Sequence, residues 1–287
     1  MKQIISMLSV GLLVVTMLTA CNAPSDSESA YNVLVFGYSD AVESADCEIE
    51  YEFEDYEKYQ SLEPDDQIEI NLGDDIYTAS NPSKVYTQNN YYPEFQYESG
   101  DNITFTIDDQ GRLTYAFWSG HTMDYLQFCS QEECLQIATA FMEKIINTSE
   151  YSISISDENI EYYTVRFVKH IGDFQTNDSA SVKVYKDGTI YSYSSSMLGR
   201  IPADIVTSDI DLKKVKEAAT SKLDQIFAKA KDVYDRMEYG EPIIRLTVLK
   251  DGSRALIYTV VADCRTDIGN GLYASVGERI SMVVTIP

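Results

Sequence analysis

Ser181-Val-Lys-Val-Tyr-Lys-Asp-Gly-Thr-Ile190 contains the pattern on which the architecture of this chain depends. Val182 and Val184 point to the same side of a strand, because successive side chains in a strand alternate between its two faces. Asp187-Gly188 then supplies the positive φ angles that a tight hairpin turn requires. The segment therefore predicts a strand near residue 180 that turns at Asp187-Gly188 and returns as a second strand.

The same spacing recurs elsewhere in the chain. It is found at 246–252 as Leu-x-Val-x-x-Asp-Gly, and at 105–111 as Phe-x-Ile-x-x-Gln-Gly. The copies at 182–188 and 246–252 each follow a segment with apolar residues at helical spacing. An internal repeat of this kind sets the architecture of a chain, so two units with the order helix, strand, turn and strand are predicted.

The helix of the first unit is predicted over 131–147. Ser130 and Glu133 have the spacing of a capping box, in which the two side chains satisfy each other's backbone N–H groups. The segment that follows has one apolar face at helical spacing. That face consists of Cys134, Leu135, Ile137, Ala138, Phe141, Met142, Ile145 and Ile146.

A second, longer helix is predicted from Asp209 to about Gly240 and Pro242, which would end it. Its apolar positions are Leu212, Val215, Ala219, Leu223, Ile226, Ala230, Val233 and Met237. These steps of three and four residues favour a helix lying across a sheet. A coiled-coil seam is the alternative.

The N-terminal third reads as strands and loops. Apolar and glutamate residues alternate over 47–54, which predicts a half-buried strand with a carboxylate face within 46–60. A glycine-rich loop is predicted from Asp267 to Gly277, between strands at 254–263 and 279–286. Further strands are predicted at 33–36, 68–72, 103–107 and 113–117.

The order helix, strand, Asp-Gly and strand resembles the PepSY-like modules of peptidase propeptides and of bacterial surface and sporulation proteins. The resemblance covers roughly 125–200 and 205–287, and it implies a small sheet packed on a helix with a binding or protease-inhibiting role and no catalysis. In the second unit Arg254 departs from the pattern, because it stands where the first unit has Ile190. The residues that carry the resemblance are Ala138, Phe141, Val182, Val184, Asp187, Gly188 and Ile190 in the first unit, and Ala218, Leu246, Val248, Asp251 and Gly252 in the second.

The first twenty residues are typical of a bacterial export signal. Lys2 precedes an apolar stretch over 4–18, which is shorter than the about 20 residues that a membrane span needs. Leu-Thr-Ala-Cys at 18–21 resembles the lipobox of bacterial lipoproteins. That resemblance implies cleavage before Cys21 and attachment of a diacylglyceryl group to its sulfur, which would anchor the chain to the membrane. An ordinary signal peptide with a chance cysteine is the alternative.

These observations predict an α+β fold, with antiparallel sheets each packed by a helix. The predicted segments are a signal peptide at 1–20, a lipidated tether at 21–31, a β-rich acidic region at 32–120, and two PepSY-like helix-plus-sheet units at 121–203 and 204–287.

Charge narrows the range of partners. The full chain has a formal charge of −24, and removal of the signal, whose one charged residue is Lys2, changes it to −25. A body this acidic has no excess of cations to neutralise phosphates, so no binding to nucleic acid is expected. It is also repelled by anionic lipid. Contact with the membrane is therefore expected through the anchor at Cys21.

Cysteine and histidine give little support for a metal site. Besides Cys21 the chain has Cys47, Cys129, Cys134 and Cys264, which allow three pairings. Export permits disulfides, and the short separation of Cys129 and Cys134 makes them the candidate pair. The two histidines, His121 and His170, are far apart in sequence. We predict no metal and no cofactor.

No motif for catalysis is present. The chain lacks a G-x-S-x-G elbow, and its 46 acidic residues make paired carboxylates a chance event. One aromatic cluster is a candidate binding surface, because tyrosines give rigid contact area for a partner. The alternative is that these rings pack on the first sheet. The cluster comprises Tyr86, Tyr91, Tyr92, Phe95 and Tyr97.

The sequence thus predicts a cell-surface lipoprotein on the outer face of a bacterial cytoplasmic membrane. A Gram-positive cell is favoured over a Gram-negative one. Its expected role is non-catalytic: binding or inhibiting a secreted or envelope protein, such as a protease. An envelope hydrolase that uses paired carboxylates is the alternative. A transporter's solute receptor is disfavoured, because the repeated strand–helix alternation of its two lobes is missing.

Overall fold

The computed structural model describes residues 31–36, 48–52, 56–85, 92–157 and 159–286. The signal peptide, the lipid attachment site Cys21 and most of the tether lie outside these ranges, and so do Cys47, Tyr86 and Tyr91. Within them the chain forms fourteen strands and three α-helices. None of these described helices is both long and apolar enough to span a bilayer.

The strands in chain order are β1 (Asn32–Phe36), β2 (Gln67–Leu72), β3 (Asp75–Val85), β4 (Glu94–Ser99), β5 (Ile103–Asp108), β6 (Leu113–Trp118), β7 (Tyr151–Ser156), β8 (Tyr162–Ile171), β9 (Phe174–Tyr185), β10 (Ile190–Ser196), β11 (Arg236–Tyr239), β12 (Ile243–Val248), β13 (Arg254–Gly269) and β14 (Leu272–Thr285). The helices are α1 (Tyr56–Ser61), α2 (Gln131–Glu143) and α3 (Leu212–Lys229).

All fourteen strands belong to one continuous sheet, with the order β1-β14-β13-β12-β9-β10-β6-β5-β4-β3-β2. β8 pairs with the other side of β9 and with β7, and β11 pairs with β13. Every described pairing is antiparallel except β12 with β9, which are parallel and joined at Leu246 and Thr176. The predicted antiparallel α+β class is confirmed in this coarse form, but the sheet is continuous where separate sheets were expected.

Each long helix covers its own part of the sheet. The buried residues of α2, including Ala138 and Phe141, pack against strands β4, β5, β6, β8, β9 and β10. The buried residues of α3, including Leu223 and Ile226, pack against β1, β12, β13 and β14. Full burial of a leucine, isoleucine or phenylalanine side chain stabilises a fold by about 1.5–3 kcal/mol. α3 therefore lies across strands. This confirms the favoured prediction for this helix, and not the alternative of a coiled-coil seam.

The start of each long helix follows its predicted cap. Ser130 and Glu133 form both hydrogen bonds of the capping box at α2, and Asp211 caps α3 through the N–H groups of Lys213 and Lys214. The predicted ends are wrong, because α2 stops at Glu143 and α3 at Lys229.

Tertiary pairing explains the early end of α3. Met237, the last apolar position of the predicted helix, lies in β11 and pairs with Cys264 of β13. The backbone groups of this segment are satisfied in the sheet, and helix propensity is a weak prior that such pairing overrides. The run of apolar positions that ends at Met237 therefore belongs partly to α3 and partly to β11.

The strand predicted within 46–60 is wrong for the described residues. Residues 48–52 form no strand, although the N–H groups of Glu50 and Tyr51 both donate to the carbonyl of Val35. Residues Tyr56–Ser61 form α1 instead. Tyr59 favours this outcome, because it is fully buried and its one hydroxyl proton is shared between the carbonyls of Val85 and Glu94.

The loop predicted from Asp267 to Gly277 is also wrong. β13 and β14 continue through this region as a long hairpin, with Cys264 opposite Val276. The chain reverses at Asn270 and Gly271, whose φ angles are +58° and +75°. Positive φ at two successive residues suits a tight hairpin turn, so the glycines serve the turn and do not break the strands.

Candidate functional site

The sheet presents an open face on the side away from α2. Alternation along the strands sends Phe105, Ala116 and Tyr193 into the core beneath α2. The neighbouring positions point the other way, and Tyr115 and Ser194 on this side are exposed. We call this side of strands β4, β5, β6, β8, β9 and β10 the outer face.

Aromatic rings from four strands meet on the outer face around Tyr191. The centroid of its ring lies 4.8 Å from that of Tyr185, 5.2 Å from that of Phe117 and 5.4 Å from that of Tyr162. Tyr115, 36% exposed, lies next to them. We call these five residues the aromatic patch. Contacts of this geometry contribute about 0.5–1.5 kcal/mol each beyond the burial of area.

A cleft of about 370 Å³ opens beside the aromatic patch and shares Tyr115 with it. Most of its lining residues have polar side chains. The lining residues are Val85, Tyr92, Glu94, Gln96, Thr106, Asp108, Arg112, Leu113, Thr114, Tyr115, Ser194, Ser195, Ser196, Met197, Leu198 and Arg200.

Asp108 fixes the two arginines of the cleft. One carboxylate oxygen accepts hydrogen bonds from the N–H groups of Gln110 and Arg112, at 2.9 and 3.0 Å. The other accepts from Arg112 Nε at 3.1 Å and from Arg200 Nη2. A carboxylate has about four lone-pair sites. All four are in use, so Asp108 anchors the arginines and has no free site to take a proton from water.

The turn after β10 places Arg200 in the cleft. Its guanidinium stacks on the ring of Tyr92, with 3.1 Å from Cζ to the ring centroid, and its side chain is 9% exposed. On one side of Arg200 the N–H of Gly199 donates to Asp178 at 3.1 Å. On the other side Lys169 Nζ reaches the carbonyl of Ile201 at 3.5 Å. The turn is therefore held on both sides.

Asp178, which holds this turn, lies at the junction of the two halves of the sheet. It is fully buried, accepts a hydrogen bond from the hydroxyl of Tyr151 at 2.6 Å, and lies 4.0 Å from Lys169. Burial raises the pKa of Asp178, although the hydrogen bonds from Tyr151 and Gly199 oppose it. Burial and the same carboxylate also raise the pKa of Tyr151 far above its usual range.

Glu94 is the second carboxyl group in the cleft. Burial raises the pKa of Glu94, with an opposing hydrogen bond from Thr114. Two carboxyl groups in one cleft are what acid–base catalysis uses, but Asp108 is already saturated. Among the described lining residues the arrangement therefore suits binding of a polar group better than transfer of a proton.

The aromatic cluster predicted as a binding surface is divided by the structure. Tyr92 lines the cleft. The prediction is wrong for Phe95 and Tyr97, which are 6% and 1% exposed and fill the core beneath β4. Alternation along β4 sends them inward, so packing on the first sheet is the correct alternative for this pair. Tyr86 and Tyr91 lie outside the described residues.

Sequence reasoning missed the aromatic patch because its members come from separate strands. The small Ala116 faces the core with Trp118, and Tyr115 and Phe117 face outward. The available signal was the volume of Ala116, since a helix approaches a sheet most closely over small residues.

The repeated Asp-Gly turn has a structural role in the first unit. Asp187 accepts hydrogen bonds from the N–H groups of Asp124 and Thr189, both at 2.9 Å, and lies 2.8 Å from His121 Nε2. Burial opposes ionisation, but these contacts outweigh it and hold the pKa of Asp187 at about 2. The turn thereby fixes the start of the segment that leads into α2.

The candidate cysteine pair lies beside this turn. Cys129 and Cys134 are free thiols in the structure and their side chains contact each other. Burial, followed by the neighbouring Cys129 and nearby carboxylates, raises the pKa of Cys134 to about 11. The disulfide between them stays a prediction. Cys264 is also a free, buried thiol.

Fold and site together define an α+β protein with an open, aromatic sheet face beside a polar cleft. No protein-family model matches the chain, and no curated protein matches it. Among solved structures, the Bacillus megaterium YpeB C-terminal domain matches at 15% identity over 69% of this chain and 88% of that chain, with a TM-score of 0.36. At that score the match carries no argument about this chain.

Proposed function

We propose that this protein is a non-catalytic binding or inhibitory module for a secreted or envelope protein, restraint of a protease being one form of that role. The outer face of the sheet is its contact surface. The observation that carries the proposal is the aromatic patch around Tyr191, next to a polar cleft. Rigid rings beside fixed polar groups are the composition of protein-binding surfaces.

The fixed geometry of the cleft supports the same role. Arg200 is locked by Asp108 and Tyr92, so little side-chain entropy is lost when a partner contacts it. The charge of −24 favours a basic partner, because opposite charges speed association and suppress wrong partners.

The proposal includes two PepSY-like units. Each long helix of the chain precedes a hairpin whose turn is an Asp-Gly pair, at 187–188 and at 251–252, and both glycines have positive φ. Each helix also packs on the strands of its own hairpin. These are the features that the resemblance implies, with Arg254 as the departure.

The proposal places the protein on the extracytoplasmic face of the cell membrane, anchored through Cys21. The support is the lipobox-like segment at 18–21 and its apolar leader. Mass spectrometry of the native protein should find the sulfur of Cys21 acylated, and a Cys21→Ala variant should appear in the medium. An unacylated native protein free in the medium would contradict the anchor.

The contact surface is tested with the 22–287 chain as bait on detergent-solubilised native membranes. We expect recovery of one stoichiometric protein, and its loss with Tyr115→Ser, which removes the most exposed ring of the patch. Tyr273→Ser is the matched control, because Tyr273 is 51% exposed on the distant β13–β14 hairpin. Equal recovery by both variants would exclude the outer face.

An envelope hydrolase is the second candidate, and Glu94 favours it. Its half-buried carboxyl group has a raised pKa, a common property of catalytic acids. Turnover of a peptide or peptidoglycan library by the pure protein, abolished by Glu94→Gln, would support this candidate. It would refute the non-catalytic proposal.

A further inference from the structure

Strand β7 forms an unprotected edge of the sheet. It has the sequence Tyr-Ser-Ile-Ser-Ile-Ser and pairs with β8 on one side, and no described strand pairs with its other side. Edge strands in natural proteins are normally blocked by charged residues, proline or a covering segment. β7 contains neither charge nor proline.

The other described edges are protected. The carbonyl of Val35 in β1 is bonded by the N–H groups of two residues from the 48–52 segment. β2 carries Glu69, and the short β11 carries Arg236 and Glu238. β7 therefore differs from every other edge in the described part of the sheet.

We propose that β7 binds an extended, basic segment of the partner protein, which adds to the sheet as a further strand. The inference rests on the proposed function and names the form of partner that the protein takes. Continuity with the outer face supports it. Ser154 and Ser156 pair with Arg166 and Thr164 of β8, so they point to the same side as the aromatic patch. A partner on that side would reach this edge.

The edge offers what an added strand needs. In an antiparallel pair such as β7 with β8, alternate residues direct their N–H and C=O groups away from the partner strand. Half of the residues in β7 therefore present free backbone groups to an incoming strand. On the inner side Ile153, which is 40% exposed, provides apolar contact for one of its side chains.

Charge selects a basic segment. Glu150 and Asp157 flank β7, and their side chains are 51% and 50% exposed. Their ion-pair partners, Lys169 and Lys186, are 10% and 17% exposed, so the carboxylate is the more accessible member of each pair. Lysine or arginine on either side of an incoming segment would complement it.

A second copy of this chain fits the edge poorly. Antiparallel pairing of two β7 strands about Ile153 and Ser154 would place Glu150 opposite Asp157 of the second copy. Two copies of so acidic a chain, each with a formal charge of −24 over the full sequence, would also repel. The charge that favours a basic segment therefore opposes self-association.

The test uses the full-length mature chain and a synthetic peptide, Lys-Lys-Thr-Ile-Thr-Val-Thr-Lys-Lys, as the probe. Hydrogen exchange followed by NMR should show fast exchange at every second amide over 151–156 in the free protein. Addition of the peptide should lower the exchange rates of these amides at least tenfold. Unchanged exchange at saturating peptide, or equal protection at β2, would overturn the inference.

Matched peptides separate backbone pairing from charge. Two versions carry N-methyl groups on alternate residues, one version for each edge of the peptide. One should lose binding and the other should keep it, since only one edge can face β7. A version with glutamate flanks should bind at least tenfold more weakly. Equal binding by both methylated versions, or a dimer through β7 in sedimentation, would refute the proposal.

The outcomes are distinguishable from failure of the proposed function. Loss of the native partner with Tyr115→Ser supports the outer face whether or not the peptide binds. Ser154→Lys places a positive charge on the edge at an exposed side chain. It should weaken the binding of the basic peptide at least tenfold. An unchanged affinity for this variant would place the peptide elsewhere and refute the edge.

Discussion

Replacement of the two Asp-Gly glycines by alanine tests the role that each turn plays in its unit. Gly188 and Gly252 have φ angles of +92° and +82°, so an alanine is strained by its backbone at both positions. Their surroundings differ. A Cβ atom at Gly188 would lie 2.8 Å from Cys129 Sγ and 3.4 Å from Ile137 Cδ1, and at Gly252 it would meet no described atom within 4 Å.

The two substitutions should therefore differ in cost. Left-handed backbone costs a non-glycine residue about 1–2 kcal/mol, and this term applies to both. Gly188→Ala adds an overpacking term of about 1–3 kcal/mol, because Cys129 cannot move freely. The backbone N–H of Cys129 donates to the carbonyl of Lys186 at 2.6 Å, which holds this residue in place. We expect about 2–5 kcal/mol for Gly188→Ala and about 1–2 kcal/mol for Gly252→Ala.

Urea unfolding followed by circular dichroism measures both values, with the slope checked for two-state behaviour. The double variant Gly188→Ala/Cys129→Ala removes the sulfur and should recover most of the excess cost, measured against Cys129→Ala alone. If Gly188→Ala and Gly252→Ala agree to within about 0.5 kcal/mol, or if the double variant shows no recovery, the packing of Cys129 on this turn is refuted.

Two buried aspartates should respond to pH in opposite directions, and the cysteine pair gives a third test. Asp187→Ala should lower the free energy of unfolding by about 2–3 kcal/mol at neutral pH, because it leaves hydrogen-bond donors unpaired. The low pKa of Asp187 means that its ionised form stabilises the fold. The difference from wild type should therefore shrink as pH falls from about 4 to about 2. The raised pKa of Asp178 predicts the reverse. In urea unfolding, the free energy by which wild type exceeds Asp178→Asn should shrink as pH rises from about 4. A difference that does not change with pH would contradict the raised pKa. For Cys129 and Cys134, non-reducing mass spectrometry of alkylated native protein should find this pair unmodified and lighter by two hydrogens, whereas full alkylation of both would exclude the disulfide.

Local signals in the sequence predicted local structure well. The Ser130–Glu133 capping box set the start of α2, and Asp187-Gly188 set the β9–β10 turn. In both cases the residues that decide the structure are neighbours in the chain, so their spacing alone contains the information. Where a residue at a distance decides the outcome, as Cys264 does for Met237, the prediction failed.

The aromatic patch could not be predicted from the sequence for the same reason. Tyr191 contacts Phe117 and Tyr162, which come from different strands and are far apart in sequence. Which strands are neighbours depends on sheet order, and the order of β6, β10, β9 and β8 is not the order of the chain. A pattern of alternation gives the two faces of one strand but not the strand that lies beside it.

The cleft depends on the junction between the two halves of the sheet. β9 pairs with β12 at Thr176 and with β10 from Ser179 onward, and Asp178 lies between these two partners. Asp178 also holds the turn that carries Arg200, so the position of this arginine is linked through one carboxylate to both pairings. Pairing of strands so far apart in sequence carries a loop-closure cost. A fragment that lacks β12 should therefore keep α2 and its core but lose the fixed position of Arg200, so the proposed contact surface depends on the complete sheet.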